Sequence, residues 1–118
     1  VLMCYHISTL IQLDMKDHRI LSAREETAAE DRLFRAILTL RSTEDCRAFF
    51  HDLCTPAELQ ALKDRWAVAE LLAEGALSYR QIHEHTGVSV TTIGRVARYL
   101  SAGNGGYARA LQRGQRQG

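Results

Sequence analysis

Proline is nearly absent from this 118-residue sequence, which has Pro56 alone, and aromatic residues make up only 7%. Strands favour aromatic and β-branched residues and the turns between them favour proline, so this scarcity argues against a turn-rich β architecture. No run of 18 or more apolar residues occurs, which excludes a membrane-spanning helix. The cysteines number three, an odd count that makes no disulfide framework and suits a reducing cytoplasm. Phosphate-cradling glycine loops, nucleophile elbows and zinc-hydrolase signatures are missing too, so no enzymatic activity is expected. Cys46, His51 and Cys54 lie close together, as do His83 and His85, but neither group has paired zinc-ligand spacing, and no metal is expected. Asp64 and Glu70 lie on a segment dense in charge of both signs and read as part of a solvated face.

What remains is an ordinary globular composition, 46% hydrophobic and 25% charged, at a length that suits one domain. Val1–Leu13 is apolar but has neither a basic leading region nor a small-residue cleavage site, so no signal peptide is expected, and Met15 offers an alternative start. Residues 1–22 are therefore expected to be an N-terminal extension, disordered or not native, with a folded domain over 23–113 and a frayed tail over 114–118.

The formal charge of +1 conceals a division. Residues 1–75 carry nine Lys/Arg and thirteen Asp/Glu, a balance of −4, while residues 76–118 carry six arginines, no lysine and Glu84 alone, a balance of +5. A basic third beside an acidic remainder points to a polyanionic partner for the former.

Punctuation along the chain predicts short helices and no strands. Leu33, Ile37 and Leu40 recur at helical spacing over Asp31–Leu40, and Ser42 or Thr43 can cap a following segment bearing Phe49, Phe50 and Leu53. Thr55-Pro56-Ala57-Glu58 is a capping box with proline at the first helical position, predicting a helix to about Glu74 that Gly75 stops. Leu59, Leu62, Trp66 and Ala69 form one stripe on it. Ser78 and Gln81 repeat the capping signature for a helix to Thr86, Ser89 can cap another over Val90–Leu100, and a last stretch spans Tyr107–Arg113. The fold class is all-α.

Residues 78–100 read as a helix-turn-helix: two helices joined through Thr86-Gly87-Val88, with Gly87 where positive φ is needed. Ile82, Val88, Ile93 and Val96 would pack inward. The other face of the second helix then presents Ser89, Val90, Thr91, Gly94, Arg95 and Arg98, with Thr92 a further candidate for DNA contact. Small residues allow close backbone approach, hydroxyls meet phosphates or base edges, and arginine takes guanine bidentately. Arg95 and Arg98 lead the candidates for DNA contact, with Arg80 and Gln81 on phosphates. Two other readings stay open: a dimeric protein-interaction module without DNA binding, which the mid-helix Gly94 keeps in play, and a ligand-responsive repressor with an unknown effector.

Phe49–Thr55, Ala69-Glu70-Leu71-Leu72, Thr86–Val96 and Gly103-Asn104-Gly105-Gly106-Tyr107 together resemble the YerC/YecD branch of the Trp repressor superfamily, over roughly residues 30–113. The resemblance implies a bacterial, six-helix, intertwined homodimer binding a double-stranded DNA operator to control transcription. Its L-tryptophan pocket would fall on Thr55, Arg65, Thr92 and Arg95. The resemblance also places Val96 and Tyr99 where tryptophan binders have glycine and serine, so the corepressor slot is expected to be obstructed and no cofactor is expected. Arg65 is then expected to be an intra- or inter-subunit ion-pair partner, with an acid such as Asp64 or Glu70 of the other chain.

Overall fold

A computed structural model describes residues 20–117. They form six helices: α1 (Ala23–Ile37), α2 (Thr43–Leu53), α3 (Pro56–Glu74), α4 (Tyr79–Thr86), α5 (Val90–Ala102) and α6 (Gly106–Gln117). No strand occurs among the described residues, so the fold is all-α as expected. The expectation for residues 1–22 falls almost wholly outside the described residues. The chain divides into two compact units, one ending at Arg47 and the other beginning at Ala48.

In the first unit, the apolar period misplaces α1. Spacing puts this helix over Asp31–Leu40, whereas it starts at Ala23 and closes at Leu38. The start is set by a capping box: Ser22 Oγ accepts from the Glu25 amide at 3.2 Å, and Glu25 Oε1 accepts from the Ser22 amide at 3.1 Å. The alanine- and glutamate-rich turns that follow carry no apolar period but have high intrinsic propensity. At the far end the Thr39 hydroxyl donates to the Ala36 carbonyl at 2.6 Å, a local bond that competes with another helical turn. Of the two candidate caps for α2, Ser42 serves, accepting from the Asp45 amide at 3.0 Å.

The second unit follows its punctuation closely. Thr55 and Glu58 form the expected reciprocal box at the start of α3, and Gly75 ends that helix at φ 73°. Ser78 and Gln81 do the same for α4, which Gly87 closes at φ 78°. The Ser89 hydroxyl accepts from the Thr92 amide at 3.1 Å and so caps α5. At the other end of the unit, α6 continues past the Tyr107–Arg113 stretch to Gln117.

The core is small and lies entirely here. Val68 and Ala69 of α3, Ile82 of α4, Val88 of the turn, and Ile93 and Val96 of α5 are the buried residues among those described, with Leu71, Leu72, Leu77 and Tyr107 packed around them. The four residues expected to join α4 to α5 are all in that set. Each fully buried aliphatic side chain contributes about 1.5–3 kcal/mol by leaving water. The α3 stripe, in contrast, splits. Ala69 is buried, but Leu62 and Trp66 remain 43% and 37% exposed.

The capping boxes give the fold an acid-sensitive component. The Glu58 carboxyl lies below its ordinary value of 4.5, first because the Thr55 amide donates to it and then through the Thr55 hydroxyl; Glu25 is lowered in the same way by Ser22. A carboxyl lowered by folding stabilises the folded state above its unfolded value and loses that contribution as pH falls through the folded one. Glu58→Gln keeps an acceptor that does not titrate. Wild type should therefore lose thermal stability relative to Glu58→Gln as pH drops below about 4.5, the ordinary carboxylate range. Parallel melting curves for the two proteins between neutral pH and pH of about 3 would refute this.

Candidate nucleic-acid interface

The connection between α4 and α5 is tied from both sides. The Gly87 amide donates to the His83 carbonyl at 2.8 Å, closing α4. The Val88 amide donates to Thr86 Oγ1 at 3.1 Å, and the Thr86 hydroxyl donates to the Ile82 carbonyl at 2.7 Å. His83 Nδ1 lies 2.6 Å from the Val88 carbonyl and donates to it. Both backbone polar groups of Val88 are thus satisfied by side chains while its own side chain enters the core. Sequence spacing leaves His83 to fit or to point outward as a solvated residue. It does neither simply, because its ring fastens the turn that sets the direction of α5. A histidine four residues before the turn glycine was the available signal.

With Ile93 and Val96 turned inward, the opposite side of α5 faces solvent. Ser89, Val90, Thr91, Arg95 and Arg98 are exposed, Val90 to 53%, while Thr92 and Gly94 are half-buried. Ser89 and Thr92 have a structural duty as well as an exposed location, since the Ser89 hydroxyl also donates to Thr92 Oγ1 at 3.0 Å. A Cβ built on Gly94 would meet nothing within 4 Å, so no neighbour in this chain requires glycine there. The helix carries no acidic residue.

The α4 candidates are more engaged than the sequence implies. The Arg80 guanidinium pairs with Glu84 at 3.2 Å one helical turn on. The Gln81 carbonyl oxygen accepts from the Ser78 amide at 2.8 Å and is used by the capping box. The Arg80–Glu84 pair is highly exposed, and such pairs contribute about 0–1 kcal/mol, so a phosphate could compete for the guanidinium. Gln81 keeps its two amide N–H donors for an outside partner such as a phosphate.

Arg95 and Arg98 converge on one ring. Their guanidinium carbons lie 4.6 Å and 5.2 Å from the centroid of Tyr99. Hydrogen bonding from Arg98, then the positive charges of Arg95 and Arg98, hold the Tyr99 phenol below its ordinary value of 10.0. The sequence marks Tyr99 only as an obstruction, whereas it is a platform for two cations at i−4 and i−1.

Behind this ring a cleft of about 580 Å³ opens between α3, α5 and the start of α6. Leu62, Arg65 and Trp66 form one wall, Arg95, Val96 and Tyr99 another, and Asn104, Gly106, Tyr107 and Ala110 the rest. Trp66 and Tyr107 stack with centroids 6.4 Å apart. Of the four residues assigned to a corepressor pocket, Arg65 and Arg95 reach this cleft. Thr55 and Thr92 are not among its walls and serve helix caps instead. Val96, 1% exposed, belongs to the core, and Tyr99 lines the space without filling it. Arg65 faces this cleft, while Asp64, one of its expected partners, accepts from Gln60 at 2.8 Å.

The family model described as Trp repressor protein matches residues 28–115. The YerC protein of Bacillus subtilis (strain 168), whose function is uncharacterized, is 48% identical over 83 residues, covering 70% of this chain and 79% of its own. A solved TrpR-like protein from Eubacterium eligens ATCC 27750 superposes with a TM-score of 0.71 at 41% identity, over 78% of this chain and 94% of that one. A solved chain from Staphylococcus aureus also gives 0.71 at 41% identity, over 80% and 96% of the two chains.

Proposed function

The chain belongs to the Trp repressor family, and from that premise we propose that it is a cytoplasmic transcriptional repressor that binds operator DNA as a homodimer through the α4–turn–α5 helix-turn-helix. One observation carries this reading. The face of α5 bearing Arg95 and Arg98 is exposed, free of acids and backed by the core of its unit. A helix so mounted can enter the major groove, with arginine N–H groups presented to phosphates or guanine edges. Arg80, the second residue of α4, could exchange its exposed pairing with Glu84 for a flanking phosphate.

A second copy is supported by apolar surface that this chain leaves uncovered. In the second unit Leu53 is 51% exposed. The half of the α3 stripe at Leu62 and Trp66 is open as well. Two-fold pairing would cover such surface and set two recognition helices about 34 Å apart, matching one helical turn of a near-palindromic site. No helix among the described residues is long and apolar enough to cross a membrane.

Selection of bound fragments from a pool of random duplex DNA tests the reading and reports the half-site spacing. The recovered site should show two related halves about 10 base pairs apart. Its affinity should fall with log[salt] at a slope of about −0.9 per neutralised phosphate. Gly94 favours the rival reading of a protein-interaction module, because a mid-helix glycine that no neighbour requires costs about 1 kcal/mol relative to alanine. Recovery of no site, with no salt-dependent affinity, would decide for that module.

Binding is proposed to be independent of L-tryptophan. Thr55 and Thr92 serve helix caps and do not line the cleft, so only Arg65 and Arg95 of the four expected contacts reach it. Added L-tryptophan should leave both the melting temperature and the affinity for the selected site unmoved, and a clear rise in either would overturn this.

A further inference from the structure

The arginine pair on α5 converges on a side chain that the DNA-binding reading leaves without a role. Tyr99 lies one turn beyond Arg95 and directly after Arg98, half-buried where α5 borders the cleft. Two guanidinium groups of the same helix lie over its ring, at 4.6 Å and 5.2 Å from its centroid. A guanidinium over an aromatic ring is attracted to its face, and with five N–H donors it keeps several for an outside partner even where one is directed at the phenol oxygen. Two cations that would otherwise sample many rotamers are thus drawn to one ring.

We infer that Tyr99 is a positioning residue of the duplex-binding face, holding Arg95 and Arg98 in a shared arrangement so that their donor edges meet DNA with little further ordering. The inference rests on the DNA-binding reading and adds to it a residue that touches no nucleic acid. Immobilising a long side chain on binding carries an entropic penalty equivalent to a factor of about 2–12 in affinity. Two arginines in each of two subunits already meet much of it before DNA arrives.

The test uses the full chain and a labelled random-sequence duplex of about 30 base pairs at about 50 mM KCl, where phosphate contacts alone give measurable affinity. Tyr99→Phe keeps the ring and should bind within about twofold of wild type. Tyr99→Leu keeps apolar bulk beside the cleft but removes the ring face, and should bind about tenfold or more weakly, in line with the ordering penalty. In a background already carrying Arg95→Ala and Arg98→Ala, Tyr99→Leu should change affinity by less than about twofold, since the interaction it removes is gone. A packing role would instead weaken both backgrounds alike, and that result overturns the inference, as does wild-type affinity in Tyr99→Leu.

A readout without DNA accompanies these. The difference in phenolate absorbance between wild type and Tyr99→Phe isolates the Tyr99 titration. It should rise toward its ordinary alkaline value in Arg98→Ala, and a transition that does not move shows that the contact is absent and overturns the inference. Failure of the underlying reading looks different. A wild type with no salt-dependent affinity removes DNA binding, and this role with it, whereas a binding wild type that tolerates Tyr99→Leu removes the role alone.

Discussion

Replacing Arg95 and Arg98 together by alanine is expected to lower the affinity for the selected duplex by at least about a hundredfold, because each arginine contact to a base or phosphate is worth roughly 1–3 kcal/mol and a dimer makes each twice. The salt slope should become shallower by about 0.9 for every phosphate that the variant no longer neutralises, a signature that general damage to the fold does not produce. Both side chains are exposed, and neither supports the core. Helical circular dichroism and the mass of the particle in solution should therefore stay as in wild type. Arg98→Ala alone should show the same direction with a smaller loss. Unchanged affinity in the double variant would remove this face of α5 from the interface.

The second large effect is on stability. Ile93 is completely buried on the inner side of α5, in a core of six residues. Ile93→Ala removes three carbons and leaves a cavity, at a cost of about 2–5 kcal/mol. For a unit of this size, each kcal/mol shifts the melting temperature by roughly 4–8 °C, so a drop of more than about 10 °C is expected. Val90→Ala, three residues earlier on the same helix, should stay within about 0.5 kcal/mol of wild type, because Val90 is 53% exposed. Comparison at one protein concentration keeps subunit association from confusing the two. A Val90→Ala loss equal to that of Ile93→Ala would mean that the inner and outer sides of α5 are wrongly assigned, and the DNA-facing surface would be lost with them.

How far the molecule could be read before it was seen differs between its ends. From Thr55 to Leu100 the punctuation is dense, and every expected cap and both turn glycines, Gly75 and Gly87, occupy the conformations their chemistry calls for. Ahead of that segment the apolar period begins too late and runs too far. The Ser22–Glu25 box was present in the sequence to be found, but it precedes a stretch whose helicity comes from alanine and glutamate, not from an amphipathic stripe. Of the α5 candidates, Ser89, Val90, Thr91, Arg95 and Arg98 are exposed as spacing implies, because the inward quartet determines the outward remainder, whereas Thr92 and Gly94 are half-buried. The candidates' hydrogen-bonding commitments were not legible. Gln81, Ser89 and Thr92 each serve a cap as well as a surface, and Arg80 meets Glu84, which motif spacing alone does not weigh against an outside partner.

Amino-acid order alone determined the helix starts and stops from Thr55 to Ser89 and the inward set of Ile82, Val88, Ile93 and Val96. These are outcomes of caps, glycine conformation and helical spacing that operate within about one turn of chain. Tertiary structure alone decided that Leu62 and Trp66 stay open while Ala69 on the same stripe is covered, and that Arg65 meets Arg95 and Tyr107 around one cleft. Those outcomes depend on how α3, α5 and α6 approach across some forty residues of sequence, and no local preference carries that distance.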